Sequence, residues 1–319
     1  MSDSEPNFNP ANTRLQEVAD GLWAWVQTDG SWWINNCGLI TDEQGDVLID
    51  TCATDQRTQA LLDAVAELRG GLDLGFALNT HAHGDHTYGN SLLPVQTTLI
   101  GHQQMREVLA DDWVIENPPA VWTPIPDWGA VTKRLPTLTF TKSMALHLSG
   151  QTAEIIHPGH PAHTTGDCVA WVPEKRTLFA GDLLFHGLTP LAFTGSVEGA
   201  RRTLDWIKSF DPEVVVPGHG PVIERGELDS VLGAHDRYYE FIADLGREAI
   251  AHGVGPLEIA RGADLGEFAE WGDSERVVLN LHRFIADKQG REMDLMASFE
   301  DAIAYNGGPM ITHVRPDEN

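Results

Sequence analysis

A layered α/β body followed by a helical extension is the fold class this sequence predicts, and three observations predict it. Strand, helix, strand and helix patterns alternate between residues 47 and 111. Short apolar strands return between 138 and 216. From about 226 to 305 the periodicity is helical throughout. The first two are the rhythm of sheets covered by helices, and the third adds helices without further strands.

The elements follow in order. Residues 1–18 are expected to be loose, because the first dozen are polar and contain two prolines. Residues 21–26 form a short aromatic strand, and Asp29-Gly30 is a hairpin signal. Residues 32–40, a turn at 43–45 and the apolar run 47–51 complete a β-meander. Over 55–69, Leu61, Leu62, Val65 and Leu68 share one helical face, and Gly70-Gly71 stops the helix. Residues 76–80 form a buried strand, 99–100 belong to another, and 102–111 read as a helix. Residues 113–136 are rich in Pro and Trp without a period, which marks a long loop. Strands are expected at 138–140, 144–148, 153–156, 168–172, 177–180 and 214–216, with a helix over 197–209. Helices at 232–251, 256–261 and 275–285 make up the extension. The chain thus divides into a loose start (1–18), a catalytic body (19–224), a helical extension (225–306) and a tail (307–319).

Charge narrows the function. With 21 basic and 47 acidic residues the formal net charge is −26. Such a surface repels phosphate backbones and anionic membranes, so neither nucleic acid nor membrane is an expected partner. Cys37, Cys52 and Cys168 show no spacing for a disulfide framework or a thiolate zinc site. No basic stretch followed by an apolar run opens the chain, and no run is long enough to span a bilayer, so a cytoplasmic location is expected.

Chemistry concentrates at residues 80–86, Thr-His-Ala-His-Gly-Asp-His. Imidazoles and carboxylates are good zinc ligands. In extended chain, residues i and i+2 point the same way, so His81 and His83 can grip one metal. Asp85 and His86 follow where the chain turns and can reach a second. Further donors stand at strand ends. His163 precedes the strand at 168, Asp182 follows the strand at 177, and His219 follows the strand at 214, each with a glycine nearby.

In this order the Thr-His-Ala-His-Gly-Asp-His, Ala-His-Thr-Thr-Gly-Asp, Gly-Asp and Pro-Gly-His-Gly motifs resemble those of the metallo-β-lactamase superfamily, over residues 20–222. The resemblance implies a four-layer αββα sandwich with metals at one edge of its two sheets. It implies that His81, His83 and His163 hold a first zinc, that Asp85, His86 and His219 hold a second, and that Asp182 bridges them. Iron and manganese are the alternative metals. His157 and His160 offer rival imidazoles, but His163 is followed by the Thr-Thr-Gly-Asp that fits the family pattern. Asp50, closing the run 47–50, would orient the histidine loop.

The reaction this implies is hydrolysis. Two adjacent zinc ions acidify a shared water, the hydroxide attacks a carbonyl carbon, and Asp85 or Asp182 carries the proton. Asp182 stands where several true β-lactamases carry Cys or Ser, so the chain is more similar to the glyoxalase II, lactonase and thioesterase branches. The charge and the lack of a long insertion between 183 and 218 speak against the nuclease branches. Trp32, Trp33, Trp113, Trp122, Trp128, Phe185, His186, Tyr238 and Tyr239 are candidate pocket residues. They suit a small carbonyl substrate with an apolar or aromatic part. The alternatives are a mononuclear iron oxygenase resembling the persulfide dioxygenases, β-lactam hydrolysis, and a non-catalytic binding protein. A homo-oligomer is left open.

Overall fold

The computed structural model describes residues 13–27 and 30–314. β1 (Thr13–Ala19), β2 (Leu22–Gln27), β3 (Cys37–Ile40) and β4 (Asp46–Ile49) form an antiparallel meander. The chain crosses through α1 (Asp55–Arg69) to β5 (Leu74–Leu78), which lies parallel to β4. The short α2 (Gly84–Thr87), β6 (Thr98–His102), α3 (Gln103–Asp111), the two-residue β7 (Trp122–Thr123) and β8 (Leu138–Phe140) follow. The second half runs β9 (Ser143–His147), β10 (Thr152–Ile156), β11 (Val169–Val172), β12 (Thr177–Phe185), α4 (Val197–Ser209), β13 (Val214–His219) and β14 (Ile223–Glu224). The chain continues through α5 (Arg225–His252), α6 (Pro256–Gly262), α7 (Arg276–Gln289), α8 (Leu295–Asn306) and β15 (Met310–Ile311).

One sheet has the order β1-β2-β3-β4-β5-β6-β8, and the other has β14-β13-β12-β11-β10-β9. Side-chain alternation along the strands makes the layers. Leu22, Ala24, Val26, Val47, Ile49, Leu78 and Ile100 of the first sheet share one core with Ile155, Ala170, Val172, Phe179 and Val216 of the second. The sheets come so close that a Cβ on Gly38 would lie 2.5 Å from the Phe179 ring. The opposite face of the first sheet, with Trp25, Leu39, Leu48 and Ala77, packs on Leu61, Leu62 and Val65 of α1. The outer face of the second, with Val169, Trp171, Leu178 and Val215, packs on α4, α5 and α7 through Leu204, Ile207, Leu228, Ile242 and Phe284. The αββα sandwich is therefore present, and the C-terminal helices supply most of one outer layer.

The helix ends are where capping chemistry puts them. Thr54 accepts from the Arg57 amide to start α1, and Gly70 ends it at φ 72°. Asp294 accepts from the Ala297 amide to start α8, a helix the periodicity alone does not single out. Other boundaries correct the sequence reading. Residues 13–18, expected to be loose, pair with β2, and Met310–Ile311 in the expected tail pairs with β7. Residues 32–36 lie outside any strand. Residues 1–12, Asp29 of the expected hairpin turn and residues 315–319 fall outside the described residues. Among the described residues no helix is long and apolar enough to cross a membrane.

One buried histidine ties the extension to the body. His235 on α5 accepts the Phe185 amide at Nε2, 3.2 Å, so its Nδ1 must donate to the Val231 carbonyl at 2.9 Å. Burial pushes this imidazole from 6.5 down to about 4. A folded state that resists protonation keeps its full stability above the unfolded pKa and loses it as pH falls from 6.5 toward 4. His235→Gln should remove about 2 kcal/mol of the stability lost between pH 7 and pH 5. Urea unfolding of chelator-treated wild type and variant at both pH values checks this, and parallel losses would contradict it.

Candidate metal centre

The site begins where β4 and β5 end side by side. Asp50 turns the chain at φ 62°, a left-handed conformation that Asp tolerates better than most residues. Its carboxylate accepts from the Thr80 amide and the Thr80 hydroxyl, both at 2.7 Å, and from His86 Nδ1 at 2.8 Å. The Thr80 hydroxyl thereby points its proton at Asp50, so Oγ1 accepts from His81 Nδ1 at 3.1 Å. Both rings are left with a bare Nε2. His163 donates from Nδ1 to the Leu191 carbonyl at 2.6 Å and His219 from Nδ1 to the Gly30 carbonyl at 2.7 Å, with the same result. His83 is the exception. Its Nε2 bonds Thr194 Oγ1 at 3.1 Å, and that hydroxyl donates to the His163 carbonyl, so His83 presents Nδ1. Each tautomer is thus fixed by a partner outside the cluster, as metal-binding imidazoles require.

The donors gather as two groups. His81, His83, His163 and Asp182 form one, and Asp85, His86 and His219 the other, with ligand atoms in each group within 4.8 Å of one another. Asp182 touches both: its carboxylate oxygens lie 3.8 Å from His81 Nε2, 3.3 Å from His163 Nε2, 3.1 Å from His86 Nε2 and 3.3 Å from His219 Nε2. Asp85 lies 3.2 Å from His219 Nε2 and 3.7 Å from His86 Nε2. The bare nitrogens of His163 and His83 face each other at 2.8 Å, an arrangement that calls for a positive charge between them. His81 Nε2, His86 Nε2 and Asp182 Oδ1 are buried without a hydrogen-bond partner. Buried polar atoms are rarely left so, and a cation is the partner this donor set fits.

The electrostatics agree. Burial drives His163 down to about 3, which keeps it a neutral donor. Burial also opposes ionisation of Asp85, yet His86 and His219 outweigh it and hold the carboxyl at about 2. Burial likewise acts against a charged His219, but Asp182 draws it up to about 9. The pocket of carboxylates favours positive charge at its centre.

The backbone departs from simple strand alternation. Residues 80–82 bend, and His83 is the N-cap of α2, so His81 and His83 converge through a turn and offer different ring nitrogens. Asp182 lies within β12, where Gly181 at φ 53° breaks the register with β13, and His219 is the last residue of β13. His157 and His160 stand apart: His157 stacks on His102 and bonds the Asp167 carbonyl, while His160 bonds Gly199 and Thr203 on α4.

Above the donors opens a cavity of about 440 Å³. Trp32, Trp33, Trp113, Trp122 and Phe185 of the sequence-predicted set line it. Trp128 packs behind Trp33 at 4.5 Å, His186 turns to the Pro221 carbonyl, and Tyr238 bonds Asn280 in the helical layer. Sequence reasoning misses Phe193, Thr194, Arg276, Leu295, Met296 and Phe299, which complete the wall. They lie on loops and helices whose periodicity marks a packed face and gives no sign of a cleft.

This fold and donor set define a class. Residues 30–219 match the model of the metallo-beta-lactamase superfamily, and the chain belongs to that family. Among curated relatives it is 25% identical over 234 residues to the 2,4-dinitroanisole O-demethylase subunit alpha of Nocardioides sp. strain JS1661, covering 71% of this chain and 62% of that protein. It is 28% identical over 148 residues to a hydroxyacylglutathione hydrolase of Methylococcus capsulatus, covering 46% and 48% of the two chains. The chain therefore spans less than two thirds of either relative. A metallo-beta-lactamase from Pontibacter korlensis has the same fold, with a TM-score of 0.56, 18% identity, and 70% of this chain and 98% of that chain covered.

Proposed function

We propose that the seven donors hold two divalent cations and that the chain hydrolyses an ester, thioester, lactone or amide of a small, largely apolar molecule. The observation that carries this is the convergence of both donor groups, with three unpartnered buried atoms, at the floor of an apolar cavity. His81, His83 and His163 would hold one cation and Asp85, His86 and His219 the other, with Asp182 between them. Zinc suits the imidazole and carboxylate set best. Bound there, the pair supplies Lewis acidity, which acidifies water and polarises a carbonyl.

The chain's own residues do the rest. Asp85 lines the cavity in its ionised form, and Asp182 lies beside it, so these carboxylates carry the proton from the attacking water toward the leaving group. Thr194 and Asp50 hold the imidazoles in register. The aromatic wall excludes bulk water and orients the apolar part of the substrate.

Elemental analysis of protein purified without added metal tests the reading. About two zinc ions per chain are expected, with turnover on a panel of ester, thioester, lactone, aryl ether and β-lactam. One iron per chain with little zinc would replace it by the mononuclear oxygenase. Unchanged hydrolysis by His83→Ala would also sink it.

A further inference from the structure

The lining of the cavity is largely apolar, and this bears on which molecules enter. Val108 of α3, Trp113 of the long loop, and Leu295 and Met296 of α8 stand exposed at its mouth. They come from three separate segments, and they are four of the ten large apolar side chains exposed among the described residues. Exposed apolar groups collected at one opening mark a binding surface.

The charges there are one-sided. Besides the donors Asp85 and Asp182, Asp111 and Asp112 line the entrance. Asp112 is fixed in place, accepting from the Tyr88 hydroxyl and the Val114 amide, both at 2.8 Å. Among the described residues lining the cavity, Arg276 is the only Lys or Arg. It is 2% exposed and already engaged. Its guanidinium lies over Trp32 at 4.6 Å and Phe185 at 5.3 Å. Its edges meet Asp273 at 2.7 Å and the Thr189 carbonyl at 3.1 Å. Nε lacks a partner but is enclosed by protein. Among the described lining residues no Lys or Arg is therefore left at the mouth, away from the metal donors, to receive a carboxylate or phosphate on an incoming molecule, and the −26 net charge deepens the repulsion.

We propose that the substrate is an uncharged molecule whose aromatic or branched apolar group docks between Trp33, Trp113, Trp122 and Phe299, and that thioesters of anionic carriers such as glutathione or coenzyme A are excluded. The inference rests on the hydrolase reading above and narrows its substrate class.

Two matched pairs test it with zinc-loaded protein. Phenyl butyrate is compared with 4-(butyryloxy)benzoate by kcat/KM at low salt. The charged ester has the better leaving group, so intrinsic reactivity cannot produce a preference for the neutral one. Butyranilide is compared with 4-(butyrylamino)benzoate by quenching of tryptophan fluorescence, which reports binding without turnover. At least a tenfold preference for the neutral member is expected in both pairs. The gap should narrow with added salt and in Asp111→Asn, because screening or loss of the mouth charge relieves the repulsion. Equal or better use of the charged members would overturn the proposal, and so would failure of butyranilide to bind at millimolar concentration. If butyranilide binds selectively but neither ester is hydrolysed, the substrate class stands and the hydrolase reading falls.

Discussion

Asp182→Ala is expected to lower kcat/KM on the order of 10³-fold and to reduce bound metal from two ions to one or fewer per chain. The carboxylate lies within 3.8 Å of imidazole nitrogens from both donor clusters. Its removal separates the clusters and takes away the negative charge that His219 and His86 otherwise share. Asp182→Asn keeps the volume but loses the charge, so it should retain one metal more firmly than the alanine variant and remain almost inactive. Metal analysis and steady-state kinetics on both variants check this, with circular dichroism confirming the fold. Two tightly held metals and activity within tenfold of wild type in Asp182→Ala would show that the two clusters do not act as one site.

Much of this site is legible in the chain because a cluster of imidazoles and carboxylates calls for particular side chains beside particular strands. The segments around His163, Asp182 and His219 each carry a glycine that the backbone uses. Gly181 and Gly220 adopt positive φ, and a Cβ on Gly218 would lie 1.9 Å from Asp182 Oδ1. Such constraints are local, so they appear as motifs. The two-sheet core is legible for the same reason: the short apolar runs at 22–26 and 47–49 are local properties.

What escapes is set by distant packing. Arg276 reads as an ordinary charge in the first turn of a helix, yet it is buried between Trp32 and Phe185, far away in the chain. Glu275 beside it accepts the Trp32 indole N–H at 2.5 Å. The strap formed by Met310–Ile311 on Trp122–Thr123 is too short to have a period at all. Each choice depends on where the extension docks on the body, and nothing in a residue's neighbours along the chain encodes that.

Asp50 offers the second large effect, because it holds the His86 ring without belonging to either donor group. Asp50→Ala should weaken zinc binding about 10–100-fold and cost about 3 kcal/mol of stability. The carboxylate takes three hydrogen bonds, and its loss strands the buried Thr80 amide and frees the His86 ring to turn. Because His86 belongs to the second donor group, the ion held there should leave first in a titration with a chromogenic chelator. Alanine at φ 62° also adds backbone strain of about 1 kcal/mol, and that component must be separated from the carboxylate. Asp50→Gly does so, since glycine adopts this conformation freely. The glycine variant should regain part of the stability but none of the zinc affinity. Recovery of affinity as well would mean that Asp50 serves the turn alone, and the histidine loop would then owe its order to Asn79, which donates to the His86 carbonyl at 2.9 Å.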